Sequence, residues 1–227
     1  IDEYGKAYSG FYTQEEMKEI VRYAQERFIT IIPEIDIPGH SLAAIAAYPE
    51  LSCTGEQYPV MSRWGGFPVV FCPGKEVMFE MLDGIFAELN QLFPSEYFHI
   101  GGDECPKDVW KTCPNCQKRI QTEGLFEDSE HSAEEKLQSY AIIRCEQILH
   151  KYGKKMIGWD EILQGGLAPD ATVMSWRGEK GGIAAALMKH PVIMTPTSGG
   201  MYLDYYQGDP QVEPFAWGAF VPIEKTY

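Results

Sequence analysis

The chain has 227 residues, of which 44% are hydrophobic and 13% are aromatic, so it carries enough apolar material for a packed core. Its formal net charge of −14 argues against nucleic acid and anionic membrane surfaces as partners, because phosphate binding needs clustered Lys and Arg. No apolar run of about 18 residues occurs, so we predict no transmembrane segment. We expect one domain over 1–227 that meets a neutral partner.

The first part of the chain alternates helix and strand signals. Thr13 followed by Glu16 forms a capping box, and apolar residues recur at helical spacing after it. An apolar run that ends near Asp36 and His40 indicates a strand buried on both faces, as in parallel sheets. The predicted elements are a helix at about 14–27, a strand at 29–36, a short helix at 42–47 and a helix at about 75–93.

The stretch HIGGDE, residues 99–104, is the strongest signal of a site. A strand, YFHI, stops at a glycine pair, and the chain then presents two adjacent carboxyls, Asp103 and Glu104. Neighbouring side chains of a regular strand point to opposite faces, so this pair can share a pocket only if the strand breaks. The glycines permit that break and let a ligand approach the backbone. A solvated acidic turn is the alternative, and the flanking pattern favours a site.

The second half of the chain repeats the alternation at shorter spacing. An insertion that contains cysteines is followed by a long helix, which Gly153 ends as a C-cap. Three strands come after this helix, and aromatic or charged residues stand just past their ends. The predicted elements are a helix at about 133–152, strands at 155–161, 171–176 and 192–195, and a short helix at about 182–189.

The alternation of strands and helices indicates one architecture. It predicts right-handed βαβ units and a parallel sheet. Polar groups that gather past the carboxyl end of every strand are typical of a (β/α)8 barrel enzyme. We therefore predict the α/β class, with a partial TIM (β/α)8 barrel of about five to six parallel strands. A doubly wound sheet is the alternative, but no GxGxxG motif opens a helix, which disfavours nucleotide binding.

The cysteines leave three possibilities open. The chain has six of them, too few to staple a protein of this length. Cys113 and Cys116 have CxxC spacing, but zinc would normally need a second pair of ligands after them, and none follows. A local disulfide or free thiols are therefore favoured over a metal. Cys53 and Cys72 bracket a Gly- and aromatic-rich loop and are candidates for a bridge in an oxidising compartment.

Taken together, the motifs resemble the catalytic domain of family 20 glycoside hydrolases, the β-N-acetylhexosaminidases. The matching segments, in the family's order over almost the whole chain, are GFYTQEEMKEIVRYA, IIPEIDIPGH, YFHIGGDE, GWDEIL, MSWRG and MYLDYY. The resemblance implies removal of terminal β-linked N-acetylglucosamine or N-acetylgalactosamine from a glycan, with no cofactor and no metal. It also implies substrate-assisted catalysis, an exception to the usual scheme of two catalytic carboxyls.

The resemblance assigns roles to the acidic pair. In this family the 2-acetamido oxygen of the substrate attacks C1 and forms an oxazolinium ion, which water then opens with net retention. Glu104 would be the general acid and then the base. Asp103 would be the anion that orients the acetamide N–H and balances the developing charge. Tyr202 corresponds to the tyrosine that hydrogen-bonds the acetamido carbonyl.

Further matches imply residues that bind the substrate. Trp159 and Trp176 match tryptophans that wall the pocket around the acetamido group and the sugar. Asp204 matches a residue that contacts sugar hydroxyls. Asp36 and His40 match a pair near the acid, and we expect them to tune its protonation. Core packing is the structural alternative for the two tryptophans, and helix capping or core packing is the alternative for His40.

Parts of the family pattern lie outside this chain. Family members carry an early arginine that binds sugar hydroxyls, and a late tryptophan and glutamate that close the pocket. We therefore expect a domain truncated at both ends, with activity of the chain alone in doubt. Asp160 and Glu161 receive no catalytic role. The first ten residues lack a signal-peptide pattern, and we expect export with the targeting segment outside the chain.

Two other functions are open from the sequence. One is a carbohydrate-binding fragment without turnover. The other is a divalent-metal enzyme that uses the acidic residues at strand ends as ligands. The aromatic residues favour a sugar over a hydrated metal, because sugar faces stack on tryptophan. Preference for the gluco or galacto epimer, the linkage and the oligomeric state are not set by the sequence.

Overall fold

A computed structural model describes residues 5–7, 9–62, 65–197, 209, 211–212 and 224. Within them the strands are β1 (Glu34–Ile37), β2 (Tyr97–Gly101), β3 (Lys155–Trp159), β4 (Thr172–Ser175) and β5 (Val192–Met194). The α-helices are α1 (Gln14–Gln25), α2 (Leu42–Ala47), α3 (Glu76–Leu92), α4 (Asp108–Thr112), α5 (Pro114–Glu123), α6 (Ala133–Lys151) and α7 (Lys180–Leu187). Short 3-10 helices cover Pro49–Leu51 and Asp160–Leu163.

The five strands form one sheet in which their spatial order is their order along the chain. Every pair of neighbours is parallel. The sheet order shows no reversal, which distinguishes it from a doubly wound sheet and is typical of a barrel wall. The prediction of an α/β fold with a partial parallel barrel is therefore confirmed. All five carboxyl ends reach one edge of the sheet, so the segments that follow the strands meet there.

Helices α3 and α6 cover one face of the sheet and form the main core with it. Phe86 of α3 meets Phe98 of β2 edge to face, with ring centroids 6.2 Å apart. Phe79 of α3 meets Tyr140 of α6 in the same manner at 6.1 Å. Both Phe86 and Phe98 are fully buried, and each such aromatic contributes a large apolar area. This packing fixes β2, and therefore the segment that follows it, against two helices.

Capping boxes begin two of the helices. The Thr13 hydroxyl accepts from Glu16 N at 3.2 Å, and the Glu16 carboxylate accepts from Thr13 N at 2.7 Å. Ser132 and Glu135 form the same pair of bonds at the start of α6. Gly153, with φ of +68°, follows the end of α6. The predicted cap of α1 and the predicted end of α6 are confirmed.

The strand predicted at 29–36 is shorter in the structure and begins at Glu34. Phe28 has a left-handed φ of +59°, which turns the chain out of α1. Pro33 has no N–H to give to a sheet ladder, so regular pairing starts only after it. The apolar residues Ile29 and Ile32 are accordingly exposed. The apolar run that suggested a long buried strand therefore belongs largely to a connection.

Two further boundaries differ from the predictions. The strand predicted at 155–161 ends at Trp159, and Asp160 begins a 3-10 helix. The insertion after β2 contains α4 and α5, which the sequence analysis did not predict. Pro114 occupies the first turn of α5, where its missing N–H leaves no helical bond unmade. None of the helices among the described residues is long and apolar enough to cross a membrane.

Candidate active site

The turn that follows β2 is held from two sides. Gly101 and Gly102 have φ values of +66° and +97°, which residues with a side chain rarely adopt. The Gly102 N–H donates to Asp36 Oδ1 of β1 at 3.1 Å. The Gly102 carbonyl accepts from Nε2 of Gln138, a buried residue of α6, at 2.9 Å. The predicted break of the strand before the acidic pair is confirmed.

Gly101→Ala should destabilise the fold. A Cβ at this position would overlap the Asp36 carboxylate. The left-handed φ alone is unfavourable for an L residue by about 1–2 kcal/mol, and the overlap adds to it. We expect urea denaturation of the full-length protein to show a loss of more than about 2 kcal/mol in unfolding free energy.

Gly124→Ala is the matched control for this experiment. Gly124 ends α5 with a φ of +68°, close to that of Gly101, and a Cβ there would meet nothing within 4 Å. The control therefore carries the backbone strain without the overlap. Equal losses in the two variants would contradict a steric role for the Asp36 carboxylate.

Four titratable side chains converge just past β1 and β2. His40 Nε2 lies 3.4 Å from Asp103 Oδ2 and 3.4 Å from Glu104 Oε2. Asp36 lies close enough that one ligand atom each from it, His40 and Asp103 fall within 4.8 Å of one another. The Asp103 side chain is 15% exposed, and that of Glu104 is 56% exposed. The two adjacent carboxyls thus occupy different environments, which is how such pairs acquire different roles.

Burial raises the pKa of two carboxyls in this cluster, which favours a bound proton. Burial raises the pKa of Asp103. Burial, and then the charge of Asp103, raise the pKa of Asp36 to about 8. A pKa of about 8 keeps a proton on Asp36 at neutral pH, so the pair does not carry two full negative charges there. Among the described residues, the buried Asp103 Oδ1 has no hydrogen-bond partner, so it retains a free acceptor position.

Asp36→Asn should remove a pH dependence of stability. The pKa of Asp36 rises from 3.8 to about 8 on folding, so the folded state binds its proton more tightly. The stabilisation is complete below pH 3.8 and is lost as the pH rises to about 8, with a slope of up to about 1.4 kcal/mol per pH unit. Asparagine keeps an acceptor for the Gly102 N–H and does not ionise. Urea denaturation between pH 5 and pH 8 should therefore show a flatter profile and greater stability at pH 8.

The control for this measurement is Asp108→Asn. Asp108 is an exposed carboxyl on α4, and a hydrogen bond from Lys111 lowers its pKa. This substitution leaves the Asp36 environment intact, so the slope of the wild-type protein should persist. A slope that survives Asp36→Asn would show that another group takes up the proton.

An open cavity of about 500 Å³ lies in front of Glu104. Segments 66–68 and 105–107 form two of its walls, and His40, Glu161 and Arg177 lie at its other sides. This volume is within the range of pockets that bind small molecules. Glu104 is the member of the acidic pair that lines this cavity, and Asp103 lies behind it, toward Asp36.

Trp159, at the end of β3, is fixed by residues of β1 and β2. Its indole N–H donates to Glu34 Oε1 at 3.1 Å, and its ring lies 4.8 Å from the ring of His99. His99 is buried, with Nδ1 3.2 Å from Glu34 Oε1 and 3.0 Å from Gly101 N. Trp159 is not among the described residues that line the cavity in front of Glu104. The structure therefore places it beside the acidic cluster, toward β1.

Trp176 follows β4 and contacts two buried acidic residues. Its indole N–H donates to Glu161 Oε2 at 3.0 Å, and its backbone N–H donates to Asp160 Oδ1 at 3.0 Å. Arg177 binds the same acids, with Nε 2.8 Å from Asp160 Oδ2 and 3.4 Å from Glu161 Oε1. Burial raises the pKa of Glu161. Asp160 directly follows β3 and accepts hydrogen bonds from residues that directly follow β4, so its role is to hold the ends of these two strands together.

The structure thus brings together four of the predicted site residues. They are Asp36, His40, Asp103 and Glu104. Trp159 and Trp176 lie at the same edge of the sheet but contact different residues, Glu34 and Glu161 respectively. Tyr202 and Asp204 lie outside the described residues.

Three residues near the site were not predicted from the sequence. Glu34 precedes Asp36 by two positions on β1, so the period of a strand places both on one face. That spacing was a usable signal. His99 and Arg177 lie within the HIGGDE and MSWRG segments, but no role was predicted for them from the sequence. Their contacts with Glu34 and Asp160 join separate elements, and a local pattern does not predict such contacts.

Three groups of described residues have ligand atoms close enough to hold a metal ion. In each group these atoms lie within 4.8 Å of one another. The groups are Cys53, Cys72, Cys113 and Cys116; Asp36, His40 and Asp103; and Glu146, His150 and Asp170. The second group belongs to the acidic cluster. The bridge considered between Cys53 and Cys72 is not formed, and none of the six cysteines is in a disulfide.

Parallel strands whose carboxyl ends carry an acidic pair beside a cavity are typical of the active-site edge of barrel enzymes. The family model described as "Glycosyl hydrolase family 20, catalytic domain" matches residues 2–227, and the chain belongs to this family. The family assignment made from the sequence motifs is confirmed.

Relatives support the assignment over nearly the whole chain. The chain is 57% identical over 223 residues to the β-hexosaminidase of Porphyromonas gingivalis, covering 98% of this chain and 28% of the relative. It is 38% identical to the β-hexosaminidase of Vibrio furnissii, covering 97% and 35%. The chain therefore spans about a third or less of these two proteins.

A solved structure gives the same result. The exo-β-N-acetylglucosaminidase of Vibrio harveyi, a family 20 enzyme in complex with N-acetylglucosamine, superposes with a TM-score of 0.80 at 34% identity. The match covers 96% of this chain and 34% of that one.

Proposed function

We propose that the protein carrying this chain is a glycoside hydrolase that removes terminal β-linked N-acetylhexosamine, GlcNAc or GalNAc, from glycans. The reaction retains configuration and passes through an oxazolinium ion formed by the substrate's own acetamido group. The single observation that carries the proposal is the pair of adjacent carboxyls, Asp103 partly buried and Glu104 exposed at a cavity. Membership of family 20 and the names of the relatives support it.

Glu104 has the position that a general acid needs. Its carboxyl faces a cavity large enough for a sugar, so it can reach the glycosidic oxygen and protonate the leaving group. When the leaving group has departed, the resulting carboxylate activates the water that opens the oxazolinium ion. His40 Nε2 lies 3.4 Å from Glu104 and from Asp103, which suits a residue that positions both.

Asp103 has the position that an orienting anion needs. Its side chain is 15% exposed, so part of the carboxylate is open to the acetamide N–H of a substrate. The proton on Asp36 lets Asp103 stay ionised, because two adjacent, partly buried carboxylates repel each other. A preorganised anion beside the developing positive charge stabilises the transition state. We assign Asp36 and His40 to control of protonation at this pair.

The remaining predicted residues complete the proposed site. Trp159 and Trp176 wall the acetamido group and the sugar, Tyr202 bonds the acetamido carbonyl, and Asp204 bonds sugar hydroxyls. We propose that residues 1–227 form an incomplete catalytic barrel domain. We also propose that the protein is exported to the periplasm, the cell surface or the medium, where glycans are met.

A divalent-metal enzyme is the second candidate, because Asp36, His40 and Asp103 are close enough to share an ion. These oxygen and imidazole ligands would suit a hard or borderline cation. Turnover by desalted protein that does not respond to Mg²⁺, Ca²⁺ or Mn²⁺ would remove this candidate.

The test of the proposed function is release of a fluorescent aglycone from an aryl N-acetyl-β-glucosaminide by the full-length protein. The matching aryl β-glucoside, which lacks the acetamido group, is the control. We expect cleavage of the acetamido substrate alone. A protein that binds N-acetylglucosamine but cleaves neither substrate would be a carbohydrate-binding protein, and the proposal would fail. The 227-residue chain tested alongside would show how much activity its own strands supply.

A further inference from the structure

A cluster of four cysteines lies in a second, smaller core beside the candidate active site. Cys72 Sγ is 3.5 Å from Cys116 Sγ and 3.7 Å from Cys113 Sγ, and Cys53 Sγ is 3.8 Å from Cys116 Sγ. All four sulfurs lie within 4.8 Å of one another. Cys72, Cys113 and Cys116 are buried, and Cys53 is partly buried. Their neighbours are mostly apolar, namely Val70, Trp110, Ile120 and Leu137.

The spacing of these sulfurs is that of a tetrahedral ligand set. Zinc binds thiolate at about 2.3 Å, and four ligands at tetrahedral corners are then about 3.8 Å apart. Three of the separations, 3.5, 3.7 and 3.8 Å, lie close to that edge length, and none of the others exceeds 4.8 Å. A disulfide joins two sulfurs at about 2.05 Å and leaves other sulfurs unrelated to it. Cys72 and Cys116 each have two sulfur neighbours, which is the pattern of a shared centre.

The four thiols come from two segments of the chain, the connection that carries Cys53 and Cys72 and the start of α5, which carries Cys113 and Cys116. Cys113 is the N-cap of α5 and Cys116 lies in its first turn, so the positive end of the helix dipole is near both residues and favours their thiolates. An antiparallel bridge between Ser52 and Phe71 sets Cys53 beside Cys72.

Close packing then joins the segment after Cys72 to the start of α5. A Cβ on Gly74 would overlap the backbone of Asn115 and Cys116, so only glycine allows this approach. The Trp110 indole N–H donates to the Phe71 carbonyl at 3.0 Å and fastens α4 to the same loop. These contacts hold the two segments together without using the thiols.

We propose that Cys53, Cys72, Cys113 and Cys116 bind one structural zinc ion. Four thiolates with no open position form a closed site of the structural zinc type, and a tetrahedral set of four sulfurs suits zinc or an iron–sulfur centre among the common metals. The CxxC pair lacked following partners in the sequence, but its partners lie 41 to 63 residues earlier. This proposal departs from the expectation of no metal that was made from the sequence for this pair.

The zinc ion has a definite place relative to the cavity. Cys53 and Cys72 delimit the loop that carries wall residues 66–68, and Cys113 and Cys116 follow the wall segment 105–107. The ion therefore ties together two walls that belong to different strand connections. This inference does not rest on the proposed hydrolase activity, because metal binding is measured directly.

The test is metal analysis of the full-length protein by mass spectrometry after expression with zinc in the medium. We expect one zinc per chain, lost in Cys72→Ser and in Cys113→Ser and kept in Cys145→Ala. Cys145 is a buried cysteine of the main core, outside the cluster, and is the matched control. Activity on the aryl substrate would be recorded separately, so failure of the proposed function would leave this result intact.

X-ray absorption at the zinc edge tests the same site without a substitution, in case the serine variants do not fold. We expect four sulfur ligands at about 2.3 Å and no nitrogen or oxygen in the first shell. Mixed ligands would overturn the proposal. So would iron in place of zinc, zinc that persists in both serine variants, four free thiols without metal, or two disulfides found by thiol alkylation of the native protein.

Discussion

Glu104→Gln should lower turnover of an aryl N-acetyl-β-glucosaminide by about 10²- to 10⁴-fold in the full-length protein, with ligand binding largely intact. Glutamine keeps the shape of the side chain at the cavity but cannot donate a proton to the leaving oxygen. The loss should shrink as the aglycone becomes more acidic, because a good leaving group needs less protonation. A series of aryl substrates whose phenols differ in pKa measures this dependence.

The control for this series is Glu19→Gln, a substitution of an exposed carboxyl on α1. It should leave turnover unchanged for every aglycone. Wild-type turnover by Glu104→Gln would exclude Glu104 as the acid. A loss that is equal for good and poor leaving groups would also exclude that role, because protonation of the aglycone would then not be the step affected.

Asp103→Asn should lower turnover by about 10²- to 10³-fold, with little dependence on the aglycone. The change removes the anion that orients the acetamide and offsets the charge of the oxazolinium ion, and neither role involves the leaving oxygen. The aryl series that distinguishes Glu104→Gln therefore gives a flat response here. The two variants measured with the same aryl series therefore distinguish the two roles: the loss depends on the aglycone for the acid and does not for the orienting anion.

Stability measurements show whether the Asp103 variant is properly folded. Burial raises the pKa of Asp103, so its charge opposes folding at neutral pH, and a neutral asparagine relieves that cost. We expect the unfolding free energy of Asp103→Asn at pH 7 to equal or exceed that of the wild type. An active variant with the wild-type response to aglycones would contradict the assignment of Asp103.

Local patterns predicted the parts of the fold that depend on neighbouring residues. The capping box at Thr13 and Glu16 needs only four consecutive positions, and the strand break at Gly101 follows from the glycine pair itself. Repetition of strand and helix then indicated parallel strands with a shared edge, which brought Asp36 and His40 to Asp103. These inferences succeeded because each rests on a rule of short range or on the topology.

The parts that the sequence did not reveal depend on contacts between distant residues. The Trp159 indole bonds Glu34, which lies 125 residues earlier. Cys116, in the first turn of α5, meets Cys53, which lies 63 residues earlier in a connection with no regular pattern. The start of β1 was misplaced because hydropathy does not register the missing N–H of Pro33. Spacing along the chain carries little information about any of these.

The backbone conformation of Glu104 is unfavourable for stability at the position proposed for the general acid. Its φ of +44° is in the left-handed region, which glycine or asparagine adopts more readily than glutamate. Selection for stability alone would therefore replace this residue, as a glycine there would relieve strain and remove the exposed carboxyl. On the proposed role of Glu104, screens that score thermal tolerance without an activity assay would therefore enrich inactive proteins at this site. On the same role, the unfavourable backbone conformation is retained by selection for catalysis.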